Sequence, residues 1–172
     1  IEEITDPLKH MIRNSIDHGI ESTEERIKLG KDPTGIITLN AYHQEGCIFI
    51  EISDDGKGLD ADELRSIAVS KGIIAKDKEL TEDESYALIF KPGFSTANAV
   101  GDLSGRGVGM DVVKSNIDAL RGSVQIITEK NRGTTFRIKL PLTLAIIDGM
   151  LIKVGKSVYI VPLLSILESI RP

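Results

Sequence analysis

The stretch Ser53-Asp54-Asp55-Gly56-Lys57-Gly58-Leu59 ends an alternating apolar segment with an Asp-x-Gly-x-Gly pattern. A second glycine-rich stretch, Gly105-Arg106-Gly107-Val108-Gly109-Met110-Asp111, opens a predicted helix. Because glycine has no Cβ, such a backbone can come close to a flat or charged ligand. A carboxylate at a strand end can accept a hydrogen bond from a base, and amides at a helix start can hold phosphates. Together the two stretches predict a nucleotide that is bound at both of its ends.

The composition is typical of a globular protein and limits the function classes. The chain has 172 residues, of which 41% are hydrophobic and 27% charged, enough for one domain with an appendage. A net charge of −5 argues against nucleic-acid binding. No apolar stretch is long enough for membrane insertion and no signal-peptide pattern opens the sequence, so a cytoplasmic location is expected. Cys47 is the single cysteine, which excludes an internal disulfide, and a buried thiol is expected rather than a redox group.

Capping patterns and periodicity predict the order of the elements. Asp6-Pro7 is typical of a helix start, and this helix is expected to end at Gly19. Ser22-x-x-Glu25, Asp60-x-x-Glu63 and Thr81-x-x-Glu84 predict three further helix starts. The first helix is expected to bury Leu8, Met11, Ile12 and Ile16, and another helix is predicted over 110–120. Strands are predicted over 36–43, 47–53, 124–128 and 134–140, with a hairpin over 150–161.

Helices and antiparallel strand pairs alternate without a regular strand–helix–strand repeat. The predicted fold class is therefore α+β, a two-layer α/β sandwich in which one helical layer covers a mixed, mostly antiparallel sheet. The texture changes at Pro141, after which the chain is β-rich. We expect two domains, 1–140 and 141–172.

Each glycine-rich motif also has a purely structural interpretation. The Asp-x-Gly-x-Gly pattern fits a strand followed by an Asp-Gly turn, and the alternating glycines of 105–109 fit a tight loop. These glycines match neither a dinucleotide fingerprint nor a P-loop, but their place before a helix favours an anion site. Phe94 is either a core aromatic or the anchor of a mobile lid over about 90–104, a long irregular segment.

The first helix carries polar residues at roughly one-turn spacing: His10, Asn14, Asp17 and His18. A solvated helix face would have the same pattern. The amide oxygen of Asn14, however, is a suitable ligand for Mg²⁺, which keeps several waters and binds phosphates. His10, one turn earlier, could orient a metal-bound water or the phosphate. His10 and Asn14 are therefore the candidate metal residues.

The order of these motifs resembles the gyrase–Hsp90–histidine kinase–MutL (GHKL) ATPase superfamily over about 6–140. The segments 10–21, 91–96 and 104–114 look like the CheA family of chemotaxis histidine kinases. The residues after Pro141 look like the opening of a CheW-like regulatory domain. The resemblance implies a Bergerat ATP-binding fold over 1–140, truncated at its N-terminus, and an incomplete SH3-like regulatory domain over 141–172.

The resemblance also implies roles for individual residues. Asn14 would ligate Mg²⁺ with His10 beside the metal and the γ-phosphate, and Asp54 would bind the adenine amino group. The implied catalytic residues are His10, Asn14 and His18. The implied ATP-binding residues are Asn14, Asp17, His18, Asp54, Gly56, Gly58, Phe94, Ser95, Ser104, Gly105, Arg106, Gly107, Val108, Gly109, Met110 and Thr134.

The activity implied by the resemblance is transfer of the ATP γ-phosphoryl group to a histidine on a separate phosphotransfer domain. Further implied partners are a CheW-like adaptor and chemoreceptors, reached through the regulatory domain, and downstream response regulators. Dimerisation would use only regions outside this chain. Two alternatives remain open. One is an ATP-hydrolysing clamp or chaperone of the same fold, which usually carries Glu where His10 stands. The other is a non-catalytic nucleotide pocket that serves protein interaction.

Overall fold

The computed structural model describes residues 2–94, 109–141, 149–155 and 157–162. The chain divides into two compact units, Ile1–Pro141 and Leu142–Pro172. The helices of the first unit are α1 (Glu2–Asn14), a π-helical turn (Ser15–Gly19), α2 (Thr23–Lys28), α3 (Ala61–Ser70), α4 (Glu82–Tyr86), a 3₁₀ turn (Ala87–Phe90) and α5 (Met110–Ala119). Its strands are β1 (Ile37–Gln44), β2 (Cys47–Asp54), β3 (Ser123–Glu129) and β4 (Gly133–Pro141).

The four strands of the first unit form one sheet in the order β1-β2-β4-β3. Every strand pairing in this sheet is antiparallel. A mixed sheet would also contain a parallel pair, and the described residues contain none. The α+β class with an antiparallel sheet and a helical layer is confirmed. In the central pair of strands, Asp54 lies opposite Thr134. This register brings two predicted nucleotide-binding residues together at one end of the sheet.

Period-two alternation buries one face of the sheet under two helices. Ile52, Phe136 and Ile138 point into this layer, where they form a core with residues of α1 and α5. The helical residues of this core are Met11, Met110, Val113 and Ile117. Burying one such side chain contributes about 1.5–3 kcal/mol, so this layer fixes where α1 and α5 lie on the sheet.

A second, smaller core lies beneath α3 and the 3₁₀ turn. It is formed by Leu64 and Ala68 of α3 together with Leu88 and Phe94. Phe94 is only 7% exposed, as expected of a core aromatic. Lys71 Nζ donates to the carbonyl oxygen of Phe94 at 2.9 Å, which also holds the backbone there.

The structure confirms most predicted element boundaries to within one or two residues, but the start of α1 differs. The helix is already formed at Glu2, so Asp6-Pro7 is not its start and Pro7 lies inside it. Pro7 is fully buried, and packing therefore outweighs the backbone hydrogen bond that a proline removes.

The end of the first helix widens into a π-helical turn. The Ile20 amide donates to the carbonyl oxygen of Ser15 at 2.8 Å, a five-residue rather than a four-residue step. Ile16, predicted to be buried, is 57% exposed, whereas Ser15 is only 2% exposed. The α-helical spacing predicted for this segment is therefore wrong beyond Asn14.

The second unit contains a single described hairpin. Strands β5 (Gly149–Val154) and β6 (Ser157–Pro162) pair antiparallel, as predicted for this segment. Several of its apolar side chains are exposed, among them Leu151 at 70% and Ile160 at 72%. Assignment of this unit to a CheW-like domain remains a prediction. In the first unit, Cys47 is a free thiol that is half-buried, rather than buried as predicted.

Candidate nucleotide-binding site

Asp54 lies at the end of β2 as a buried carboxylate, 8% exposed. Its Oδ1 atom accepts hydrogen bonds from the Gly56 and Thr134 amides, each at 3.1 Å. Its Oδ2 atom accepts from the Ser15 hydroxyl at 2.9 Å. A carboxylate can accept about four hydrogen bonds, so this one is fixed in orientation and still keeps acceptor capacity. It is therefore suited to binding the amino group of a base.

Thr134, the second predicted adenine residue, is fixed by a neighbouring threonine. The Thr128 hydroxyl lies 3.0 Å from the Gly133 carbonyl oxygen, to which it donates, and 3.1 Å from the Thr134 hydroxyl. A hydroxyl has one proton, so Thr134 must be the donor in the pair of threonines. The Thr128 oxygen also accepts from the Leu59 amide at 2.9 Å. The Thr134 hydroxyl proton is thus already used, and toward a ligand the Thr134 oxygen can only accept hydrogen bonds.

The glycines of the Asp-x-Gly-x-Gly pattern are required by the fold itself. A Cβ on Gly56 would lie 2.1 Å from the Gly19 carbonyl oxygen. A Cβ on Gly58, whose φ is +71°, would lie 2.3 Å from the Glu129 carbonyl oxygen. The loop after β2 is therefore held between the π-helical turn and the turn that joins β3 to β4. This close approach of backbones explains both glycines without a ligand, and their predicted contact with a base remains a prediction.

Behind this loop lies a balanced group of four charges, here termed the loop-anchoring cluster: Glu21, Arg26, Lys31 and Asp55. Arg26 is 1% exposed and binds Asp55 Oδ2 at 2.7 Å and Glu21 Oε2 at 3.1 Å. Lys31 Nζ binds Glu21 Oε1 at 2.6 Å. Lys31 also donates to the carbonyl oxygens of Asp55 and Gly56, at 2.9 and 2.7 Å. Asp55, part of the Asp-x-Gly-x-Gly stretch, is thus a partly exposed ion-pair partner of the buried Arg26.

The cluster shifts the acidities of its carboxyl groups. Burial raises the pKa of Glu21, but hydrogen bonding to Lys31 and the charges of Lys31 and Arg26 outweigh it, so the pKa lies below its ordinary value. Burial likewise raises the pKa of Asp55, and hydrogen bonds from Arg26 and the Ile36 amide bring it below its ordinary value. Both groups are therefore carboxylates at neutral pH, as their ion pairs require.

The predicted metal residues lie on the second half of α1, and the charge of Asp111 on α5 acts on His10. Burial lowers the pKa of His10, the Arg13 charge and His18 lower it further, and Asp111 opposes them. The net shift is downward, so the imidazole is mainly neutral at pH 7 and has a lone pair available. Asn14 is the last residue of α1, and its side chain makes no capping hydrogen bond to the π-helical turn. Asp17 and His18 are exposed on that turn.

The phosphate end of the predicted site is only partly described. Gly109 is the N-cap of α5 and provides no side-chain cap, so the first amides of this helix are not capped from there. The Met110 side chain belongs to the main core, which leaves its backbone as the part that can contact a ligand. The other predicted residues, Ser95, Ser104, Gly105, Arg106, Gly107 and Val108, lie outside the described residues, as does most of the predicted lid.

Within the described ranges, no group of three or more His, Cys, Asp or Glu side chains could hold a metal ion. A site made of Asn14 and His10 offers at most two protein ligands. This number suits Mg²⁺, which keeps several waters and is otherwise bound by substrate phosphates. The donor set therefore fits a metal ion that arrives with a nucleotide, and it does not fit a permanently bound structural metal.

Sequence reasoning missed three parts of the site. Ser15 was not predicted, because the expected buried residues of this helix were apolar and Ser15 is polar. Thr128 resembled any outward-facing strand residue, although its place opposite Thr134 in the sheet follows from the predicted hairpin. The loop-anchoring cluster had only a weak signal, namely four charges close to glycines. Of the predicted residues, Asp54, Gly56 and Thr134 are brought together directly.

A layer of helices on an antiparallel sheet, with a fixed carboxylate at the end of a central strand, defines a nucleotide-binding domain. The model of the family "Histidine kinase-, DNA gyrase B-, and HSP90-like ATPase" matches residues 3–144, and the chain belongs to this family. The chain is 54% identical to the chemotaxis protein CheA of Cereibacter sphaeroides over 172 residues, all of this chain and 25% of that protein. It is also 54% identical to the sensor histidine kinase CheAY of Helicobacter pylori over 173 residues, 99% of this chain and 22% of that protein.

The chain therefore spans about a quarter of the length of these relatives. Among solved structures, the histidine kinase domain of the blue-light activated histidine kinase EL346 of Erythrobacter litoralis is similar. Its TM-score is 0.46 at 14% identity, and the match covers 81% of this chain and 43% of that structure. Of the helices in the described ranges, none has the length and apolarity to cross a membrane.

Proposed function

We propose that the chain is the ATP-binding catalytic domain of a chemotaxis histidine kinase. It transfers the γ-phosphoryl group of ATP to a histidine nitrogen on a separate phosphotransfer domain. The observation that carries the proposal is the buried Asp54 carboxylate, oriented by three donors and still able to accept a hydrogen bond. Membership of a family of ATPases and the similarity to relatives named chemotaxis protein CheA and sensor histidine kinase CheAY are the further support.

At the adenine end, Asp54 accepts a hydrogen bond from the amino group of the base. Thr134 Oγ1, whose own proton is directed to Thr128, accepts from the base or from a bridging water. Gly56 and Gly58 border the base through the loop that follows Asp54. Guanine carries a carbonyl oxygen where adenine carries the amino group, so these two acceptors discriminate against it.

At the phosphate end, Asn14 and His10 hold Mg²⁺ together with the phosphate oxygens. The neutral imidazole of His10 is suited to this role, because a protonated ring would repel the metal. His18 and Asp17 lie close to the phosphates. Backbone amides from Gly105, Gly107 and Gly109, with Ser95, Ser104, Arg106, Val108, Met110 and Phe94 around them, complete the proposed binding set. Phosphoryl transfer is accelerated mainly by such positioning and charge neutralisation.

The identity of His10, at the start of the proposed metal site, favours transfer of the γ-phosphoryl group to a protein over hydrolysis of ATP. ATP-hydrolysing clamps and chaperones of this fold usually carry Glu where His10 stands, and that Glu activates the water molecule. In the transfer, the bond between the γ-phosphorus and ADP breaks, a phosphorus–nitrogen bond forms, and the acceptor imidazole loses a proton. The acceptor histidine is supplied in trans.

Through the unit that starts at Leu142, the protein contacts a CheW-like adaptor and chemoreceptors in the cytoplasm, and response regulators act downstream.

The test uses ATP labelled at the γ-phosphate, Mg²⁺ and the chain, with and without a separately produced histidine phosphotransfer domain from a CheA relative. We expect label on the acceptor domain that is stable in alkali and labile in acid, as a phosphoramidate is. Asp54→Asn serves as the matched variant that should not label the acceptor.

Other outcomes contradict the proposal in distinct ways. Release of labelled phosphate without labelling of the acceptor would identify the hydrolysing clamp. Label on the chain itself would place the acceptor in cis, with His43 on the exposed edge strand β1 as the first candidate. Absence of any nucleotide binding in calorimetry would leave only the non-catalytic interaction module.

A further inference from the structure

One peptide unit connects the loop-anchoring cluster to the Asp54 carboxylate. The peptide that joins Asp55 to Gly56 has its carbonyl oxygen within 2.9 Å of Lys31 Nζ and 3.3 Å of an Arg26 nitrogen. Its N–H donates to Asp54 Oδ1 at 3.1 Å. Because a peptide is planar and rigid, cations at its oxygen determine where its N–H points. Hydrogen bonds in such a chain also polarise one another, which strengthens the bond to the carboxylate.

We propose that Lys31, supported by Arg26, is a positioning residue for recognition of the base. Lys31 holds the Asp55–Gly56 peptide so that the Gly56 amide fixes the Asp54 carboxylate in its acceptor orientation. This inference deepens the proposed function and rests on it, since it assumes that Asp54 binds the amino group of adenine.

The geometry of Lys31 indicates a role beyond neutralising a neighbour. Its ammonium group has three donors, and the structure uses them on one carboxylate and two successive carbonyl oxygens, those of Asp55 and Gly56. Two consecutive peptides of the loop are thereby bound from the same side. If Lys31 served only to form a stabilising ion pair, its contact with Glu21 would be sufficient and the two carbonyl contacts would not be needed.

Arg26 provides the platform for this arrangement. It binds the carbonyl oxygens of Asp32 and Thr34 at 2.7 and 3.4 Å, and so holds the segment between Lys31 and β1 against the loop. The Asp55 carboxylate that Arg26 binds also accepts from the Ile36 amide at 2.9 Å. Charges of two cations and two anions cancel within the cluster, which lets it stay largely buried.

The effect of Lys31 should therefore be felt at the base and not at the phosphates. We expect Lys31→Met to weaken binding of adenosine, ADP and ATP by the same factor, on the order of tenfold. The effect of Mg²⁺ on ATP binding should stay unchanged. The Gly56 amide resonance should shift in the variant without nucleotide, because its hydrogen bond to Asp54 is altered. Titrations followed by NMR give affinity, stoichiometry and the Gly56 signal in one experiment.

Three matched variants separate positioning from stability. Lys28→Met removes an exposed lysine from α2 and should change neither affinity nor the Gly56 signal. Lys31→Arg keeps a cation beside the two carbonyls and should recover part of the affinity. The double variant Lys31→Met with Glu21→Gln removes the excess negative charge that Lys31→Met alone leaves in the cluster, so it should recover stability but not the affinity for adenosine.

The outcomes that overturn the proposal are equally distinct. Adenosine bound by Lys31→Met as tightly as by the parent, or a loss confined to ATP, would remove Lys31 from recognition of the base. Recovery of adenosine affinity in the double variant would reduce Lys31 to a counter-charge for Glu21. If instead the parent chain binds none of the three ligands, the proposed function fails, and this inference fails with it.

Discussion

At the scale of single residues, the site depends on the difference between a carboxylate and an amide. Asp54 accepts from three donors, and an asparagine at this position could keep all three contacts. Its amide oxygen would accept from the Gly56 and Thr134 amides, and its NH₂ group would donate to the Ser15 hydroxyl. The fold would then be retained, but the side chain would offer a donor where the adenine amino group also offers one.

We therefore predict that Asp54→Asn retains its folded structure and loses ATP binding. In the variant, two hydrogen-bond donors would face each other and one would stay unpaired, which costs about 1–3 kcal/mol. Together with the lost hydrogen bond, this cost weakens ATP binding at least tenfold. Calorimetric titration with ATP measures this loss, and thermal unfolding without nucleotide provides the control for the fold. Unchanged ATP affinity in a folded variant would show that Asp54 does not bind the base.

Asn14 makes the corresponding prediction for the phosphate end. Asn14→Ala is expected to abolish the increase in ATP affinity that Mg²⁺ causes and to stop phosphotransfer, because it removes the amide ligand at the end of α1. ATP binding with and without Mg²⁺ in the parent and the variant tests this. Adenosine binding, which needs no metal, serves as the control and should stay the same. A Mg²⁺ effect that persists in the variant would place the metal elsewhere.

At the scale of elements, the loop after β2 and the turn between β3 and β4 are held in backbone contact. Gly58 and Gly72 form a natural matched pair for measuring this contact, because their φ angles are +71° and +68°. A Cβ on Gly58 meets the Glu129 carbonyl oxygen at 2.3 Å, whereas a Cβ on Gly72 meets nothing within 4 Å. Both Gly→Ala variants thus incur the left-handed strain, and only one also incurs the clash.

We predict that Gly72→Ala lowers the free energy of unfolding by about 1–2 kcal/mol and that Gly58→Ala lowers it by a further ~1–3 kcal/mol. Urea denaturation of both variants gives the difference directly. Gly58→Ala should also weaken adenosine binding, since the displaced loop carries the Gly56 amide that binds the Asp54 carboxylate. Equal losses of stability in the two variants would mean that the loop and the turn separate easily.

The elements themselves were predictable wherever local chemistry determines them. Alternation of Ile48, Ile50 and Ile52 predicted β2, and the reciprocal capping of Ser22 with Glu25 is present as expected. The π-helical turn was not predictable from local spacing, and its Ser15 binds Asp54, a residue 39 positions away that spacing does not connect to it. Asp54, Gly56 and Thr134 could be predicted as site residues from their motifs, and these roles remain predictions, whereas the loop-anchoring cluster depends on tertiary packing that spacing does not reveal.

At the scale of the whole molecule, stability should depend on pH through groups whose acidity changes on folding. The folded-state pKa values of Glu21 and Asp55 lie below their ordinary values, because ion pairs and hydrogen bonds outweigh burial. Their contribution is therefore complete above the unfolded pKa, near pH 4, and is lost as the pH falls through the folded pKa. The lowered pKa of His10 adds a separate loss that begins below about pH 6.5.

We predict that the free energy of unfolding, measured by urea denaturation from pH 8 to pH 3, falls in these two steps. Glu21→Gln should be less stable at neutral pH, because it weakens the ion pairs with Lys31 and Arg26. It should also show a shallower fall in the acid step, because one titrating carboxyl is gone, while the step near pH 6.5 stays. An acid step of the same slope in Glu21→Gln would mean that other carboxyl groups determine acid stability.

The partners of Asp54 also constrain when this protein can first work. Its carboxylate depends on Ser15, 39 positions before it, and on the amide of Thr134, 80 positions after it. During synthesis from the N-terminus, helices α1 to α4 and the β1–β2 hairpin can form while β4 has not yet been made. The carboxylate gains its third donor only when β4 pairs with β2, so the proposed base pocket stays incomplete in a growing chain until this strand has been made.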